Sequence, residues 1–134
     1  MEEFFGWSED LAMNVEEIDT QHRYLIGLVN DYHKNQEETE REQIEDVLSF
    51  LINYAQIHFS LEEKMMASHN YPDREAHITE HVILARVVAE MVAENDNSSK
   101  TRHKTMAVFL KNWLTDHIQQ TDRKLAQWLN AAKV

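Results

Sequence analysis

Eight histidines stand in a chain of 134 residues whose formal net charge is −11. Their spacing has a pattern. His58 and Glu62 are four apart, as are His77 and His81, a separation that sets each pair on one face of an α-helix. His22 recurs with apolar residues at helical steps. His117 and Asp122, in the stretch "HIQQTD", are five apart, which on a regular helix swings two side chains about 140° from each other. Imidazoles and carboxylates in a chain without cysteine are the donor types of nitrogen- and oxygen-ligated metals, not of thiolate sites. Any one of these residues alone reads as a satisfied core histidine, and isolated H-x-x-x-E or H-x-x-x-H pairs are common by chance. Their meaning depends on whether the chain brings them together.

The elements that would do so are helices. Two glycines and one proline leave few tight turns and argue against a sheet-rich fold. Residues 1–18 carry Phe4, Phe5 and Trp7 without clean periodicity and read as an arm packed on the body. Asp19 is a candidate N-cap, with Ile18 as a staple, for a first helix whose seam is Ile18, His22, Leu25, Val29 and Tyr32. Thr39-Glu40-Arg41-Glu42 fits a capping box and opens a second, with seam Ile44, Leu48, Leu51, Ala55, His58, Glu62 and Met65. "SHNYPD" ends it, and Asp73 can cap a third helix along His77, His81, Leu84, Val88 and Met91. After the break "ENDNSSK" comes a fourth: Met106, Leu110, Trp113, His117. Four amphipathic helices with short connections predict an all-α, up-down-up-down four-helix bundle with an N-terminal arm.

The polar seam positions fall near the start of the first and third helices and near the end of the second and fourth. With alternating helix directions, all seven meet in one layer at one end of the bundle. Two carboxylates and five imidazoles buried together without a cation would carry a heavy desolvation cost, which a metal removes. Seven donors are too many for one ion. They suffice for two octahedral ions if both carboxylates bridge; one bridging solvent oxygen then leaves a vacant position on the ion with two histidines. Imidazole and carboxylate suit iron, and manganese or zinc less specifically. The five-residue step has two readings. A π-type bulge between 117 and 122 would absorb one extra residue, since the seam resumes at Asp122, Leu125 and Leu129. Alternatively, Asp122 reaches in from the flank of a regular helix.

Bulk properties exclude other classes. The strongly acidic balance repels nucleic acid and anionic membranes. No apolar run approaches the roughly 20 residues of a membrane span. The opening "MEEFFGWSED" lacks the basic-then-apolar layout of a signal peptide, and with no cysteine to form disulfides a cytoplasmic location is expected.

"IDTQH" (18–22), "HFSLEE" (58–63), "HITEH" (77–81) and "HIQQTD" (117–122) together resemble the motif set of the hemerythrins. The leading "GWSEDLAMNVEEIDTQH" is similar to single-domain bacterial members, the bacteriohemerythrins. The resemblance covers nearly the whole chain, fills every ligand position in order, and implies one hemerythrin-like domain over residues 1–134. It also implies a non-haem di-iron centre, oxo- or hydroxo-bridged, that binds O2 reversibly. His77, His81 and His117 would hold one iron and His22 and His58 the other, with Glu62 and Asp122 bridging and O2 binding at the two-histidine iron. Leu25, Val29, Phe59, Trp113, Leu114 and Ile118 match apolar pocket positions of the family and are also what an ordinary bundle core would contain.

Three histidines remain. His103 is ~21 Å along the axis from His117 and is expected to be a cap or rim residue. His33 and His69 are also expected to be non-ligands, Met65-Met66 to be core filler, and "EETERE" a solvated turn. The leading expectation is an O2-binding protein for storage, delivery or sensing, with an unknown oxygen-consuming protein as a possible partner. An oxidase- or peroxidase-like di-iron enzyme, or a module sensing iron or nitric oxide, is the alternative. Against the enzyme, no E-x-x-H pair of the carboxylate-rich ferritin-like sites occurs at the site, and the expected pocket offers no acid.

Overall fold

The computed structural model describes residues 4–38, 41–93 and 99–131. It contains α1 (Glu16–Glu38), α2 (Arg41–Ser68), α3 (Arg74–Ala93), α4 (Ser99–Asp116) and α5 (Arg123–Ala131), after a short 3-10 turn at Glu9–Leu11. A π-helical turn, His117–Asp122, joins α4 to α5 without a break, so the two form the bundle's fourth rod. Each rod packs on its neighbours in a closed ring: α1 on α2 and α4, α3 on α2 and α4. No strand occurs among the described residues. The all-α four-helix architecture is the one that the seams require. The residues that fill its interior are the seam residues Ile18, Leu25, Val29, Tyr32, Leu48, Leu51, Leu84, Val88, Met106 and Leu110. Burying this stripe, rather than intrinsic propensity, holds such helices together.

Helix ends show where local chemistry was read correctly and where not. α2 closes in a Schellman motif: Tyr71 N–H reaches Met66 O at 3.0 Å and Asn70 N–H reaches Ala67 O at 3.4 Å. Asn70 takes the left-handed conformation (φ 53°), and Pro72 blocks further helix. Asp73 sits immediately before α3, its carbonyl accepting from His77 N–H at 3.1 Å. Asp19, expected as the N-cap of the first helix, is instead one turn inside it. α1 begins at Glu16, taking residues 16–18 from the expected arm. The Asp19 carboxylate reaches backward to accept from the backbone N–H of Met13 (2.8 Å) and Asn14 (3.1 Å). Those donors would otherwise be orphaned, and the negative charge lies at the favourable end of the helix dipole. The capping box expected from Thr39 lies outside the described residues, as does most of "ENDNSSK".

The N-terminal segment is tied to the same end of the bundle as the histidines. Asn130 donates to Met13 O at 3.1 Å, and the Arg123 guanidinium donates to Asp10 O. Its beginning runs back along α1, where Asn30 exchanges two hydrogen bonds with the Phe5 backbone (2.7 and 2.8 Å).

Candidate metal centre

α1 delivers His22 to the bundle interior, α2 delivers His58 and Glu62, α3 His77 and His81, and the π turn His117 and Asp122. All seven are at most 3% exposed. The two carboxylates are each divided between two sets of histidines. Glu62 Oε2 lies 3.2 Å from His58 Nε2 and 3.7 Å from His22 Nε2. Its Oε1 lies 3.3 Å from His77 Nε2 and 3.2 Å from His81 Nε2. Asp122 repeats the pattern: Oδ2 is 3.0 Å from His22 Nε2, while Oδ1 is 3.0 Å from His77 Nε2 and 3.1 Å from His117 Nε2. Two donor groups result, Glu62-His77-His81-His117-Asp122 and His22-His58-Glu62-Asp122, each with its ligand atoms within 4.8 Å of one another.

Three imidazoles are held from behind. His58 Nδ1 faces Gln21 Oε1 at 2.7 Å, His81 Nδ1 faces Glu63 Oε2 at 3.0 Å, and His117 Nδ1 faces Glu80 Oε1 at 2.9 Å. Each outer oxygen can only accept, so the ring proton sits on Nδ1 and the Nε2 lone pair points inward. Aromatic rings hold two ring planes as well, Phe59 stacking on His81 (3.9 Å between centroids) and Trp113 on His117 (4.4 Å). The consequence is an interior where acceptors meet acceptors. Nε2 of His22, His58, His81 and His117, Glu62 Oε2 and both Asp122 oxygens are buried without a hydrogen-bond partner. Native proteins rarely leave buried polar atoms so.

The electrostatics point the same way. Burial by itself would push His22 and His77 toward the neutral form, but the close, negatively charged carboxylates of Asp122 and Glu62 outweigh it and raise each from 6.5 to about 9. His117 is also raised, chiefly by Asp122 against the same opposing burial. Burial would raise Glu62 and Asp122, yet the surrounding imidazoles hold both well below the usual carboxylate range. The centre thus demands positive charge at its middle. Protons supply it in the metal-free chain; metal ions would displace those protons. Five imidazoles and two shared carboxylates without sulfur fit a pair of divalent transition ions.

The family model of the hemerythrin HHE cation-binding domain matches residues 13–129. The chain belongs to the hemerythrin family. It is 31% identical over 129 residues to a bacteriohemerythrin of Stenotrophomonas maltophilia, covering 93% of this chain and 81% of that protein. It is 30% identical over 122 residues to the bacteriohemerythrin of Methylococcus capsulatus, covering 91% and 93%. A solved wild-type hemerythrin superposes with a TM-score of 0.80 at 27% identity, over 94% of this chain and 98% of that one.

Beside the hemerythrin-type donor cluster lies an apolar cavity of about 360 Å³ between α2 and α3. Leu25, Phe59 and Leu114 line it, next to or one turn from His22, His58 and His117, with Leu51, Leu84, Val88 and Leu110 behind. Exposed Ala85, Ala89 and Gln56 stand at its outer side, and among the described residues Gln56 is the one polar residue along it. Of the six apolar residues singled out from sequence, Val29, Trp113 and Ile118 do not line this cavity; Val29 and Ile118 are core, and Trp113 is half-buried against His117. Gln21, Glu63 and Glu80 were not anticipated. Each directly neighbours a ligand-type residue in sequence, the one signal that could have marked it as a supporting partner.

The other histidines separate cleanly. His33 stacks on Phe4 (3.8 Å), and exposed His69 donates through Nδ1 to Met65 O at 2.9 Å. Neither belongs to a donor group among the described residues. His103, expected at a cap or rim, is instead fully buried and hydrogen-bonded through Nδ1 to the Tyr32 hydroxyl. The register of α4 turns it inward on the same seam as Met106 and Leu110, and the tyrosine opposite makes that burial tolerable.

Proposed function

We propose that this chain holds two iron ions and binds O2 reversibly, without catalysing its consumption. The observation that carries this reading is the division of Glu62 and Asp122, each with one oxygen toward His77, His81 or His117 and the other toward His22 or His58. In this reading His77, His81 and His117 would hold one ion and His22 and His58 the other, with Glu62 and Asp122 available to both. When bound, an iron pair would supply the redox chemistry for O2 binding. On this reading the chain would offer five donors to one ion and four to the other.

The chain's own residues do the rest. Gln21, Glu63 and Glu80 keep three imidazoles with Nε2 free to coordinate. Leu25 and Phe59 bring the apolar cavity up to His22 and His58, where a small apolar molecule can enter and water is disfavoured. Among the described residues the cavity lining carries no acidic side chain, which supports binding over oxygen activation, because cleaving the O–O bond needs a proton donor there.

The deciding measurement is a visible spectrum of anaerobically reduced, iron-loaded protein before O2, after O2, and after its removal. A charge-transfer band that appears with O2 and disappears when the gas is removed is the expected result. Immediate irreversible oxidation with a co-substrate consumed would favour an enzyme, and no iron-dependent band would remove the di-iron assignment.

A further inference from the structure

The fourth rod must absorb one extra residue between its two buried stretches. Met106, Leu110 and Leu114 before the π turn and His117 at its start face inward, and Leu125, Ala126 and Leu129 face inward after it. Those stretches fix that a bulge occurs but not where. Placed a turn later, the bulge would put Thr121 on the inward face in place of Asp122, because successive helical residues differ by about 100°. The observed turn is at His117–Asp122, closed by the Arg123 N–H to Ile118 O bond.

A single side chain from another helix holds both ends of that turn. Glu80 of α3 accepts from His117 Nδ1 at 2.9 Å through Oε1. The same carboxylate accepts from the Thr121 hydroxyl, whose oxygen lies 2.8 Å from Oε1 and 2.9 Å from Oε2. Residues 117 and 121, the first and fifth of the six π residues, are therefore fastened to one point on α3. Moving the bulge would rotate Thr121 away from Glu80 and break that half of the clamp.

We propose that Glu80 is a positioning residue whose carboxylate, shared by His117 and Thr121, sets the location of the π turn and so decides that Asp122 rather than Thr121 faces the centre. What Asp122 then does there rests on the two-ion reading above; the clamp itself does not. The Glu80 side chain is 43% exposed. Each hydrogen bond is therefore expected to contribute at the modest end, about three- to tenfold in a local opening equilibrium.

The test is amide hydrogen exchange across residues 118–123 in the metal-free protein, paired with cobalt(II) titration of the same preparations. Thr121→Val removes only the hydroxyl, and Thr121→Ser restores it; neither touches a ligand. Exchange about three- to tenfold faster in Thr121→Val and wild-type in Thr121→Ser is expected, with residues 107–113 unchanged and cobalt(II) affinity falling in parallel. Glu80→Gln, which keeps one acceptor oxygen, is expected between wild type and Glu80→Ala. Wild-type exchange in Thr121→Val would overturn the proposal. So would a defect confined to Glu80→Ala, since Glu80 would then act on the His117 ring alone. If the wild-type chain bound no cobalt(II) while the exchange pattern held, the two-ion reading would fail and the clamp would stand. Should Glu80→Ala fail to fold, the threonine pair alone decides.

Discussion

Two ends of the same bundle bury histidine, and they do so on opposite terms. His103, near the start of α4, is as fully buried as His22. Its Nδ1 meets the Tyr32 hydroxyl, so a group able to donate faces a group able to accept. At the other end, imidazoles held with Nε2 inward face carboxylate oxygens, and at least seven of the nitrogen and oxygen atoms there have no hydrogen-bond partner. Burial therefore does not distinguish a ligand from a structural histidine. Convergence of lone pairs without donors does, because only a cation or added protons can satisfy it.

The largest effect that separates the two ends is metal removal. At a free metal concentration about a thousandfold above Kd, binding stabilises the folded state by about 4 kcal/mol. For a chain of this size, a chelator should then lower Tm by roughly 12–20 °C in a thermal melt. An unchanged melting curve would make the donor cluster a protonated structural network like any other. Next in size, Asp122→Ala or Glu62→Ala removes a carboxylate from both donor groups at once. Metal affinity should drop by more than about 100-fold, the upper range for losing a mere outer partner. Metal analysis after dialysis would show it, and retention of both ions would mean that the carboxylates are not shared.

Tyr32→Phe tests the opposite end. Removing the buried hydroxyl that meets His103 Nδ1 should cost about 1–3 kcal/mol in urea unfolding, while the metal content stays that of the wild type. A loss of metal in this variant would break the distinction. A separate test is the pH dependence of the metal-free chain. His22 and His77 are raised from 6.5 to about 9, so the stability they contribute is fully present below pH 6.5 and is lost as pH rises through about 9. Glu62 and Asp122 are depressed, so their contribution is present above the ordinary carboxylate range and lost on acidification. Metal-free stability, followed by denaturant midpoint, should fall between pH 6.5 and 9. The metal-loaded protein should lack that slope, because metal has taken the place of the protons.

How much of this is legible in the sequence follows from periodicity. The placement of His22, His58, Glu62, His77, His81 and His117 at one end of the bundle came from counting steps of three and four along four helices. The π turn was one of two readings of the five-residue step from His117 to Asp122, and it is the one that the backbone adopts. Asp19 was misplaced by one turn because a short polar side chain that caps from outside and one that reaches back from inside look alike in sequence. The burial of His103 is not legible in sequence, because distance from the other histidines says nothing about burial and Tyr32, which it meets, is 71 positions away.

The chain's local order thus determined the helices, their inward faces and the level at which the donors meet, since helical geometry follows from the backbone and apolar spacing alone. Only the tertiary structure decided how each carboxylate divides between histidine groups and which side chains stand behind the imidazoles. Glu80 reaching His117 and Thr121 is a contact between helices, 37 and 41 positions apart along the chain. Its existence depends on how α3 lies against the fourth rod, and no local periodicity encodes that.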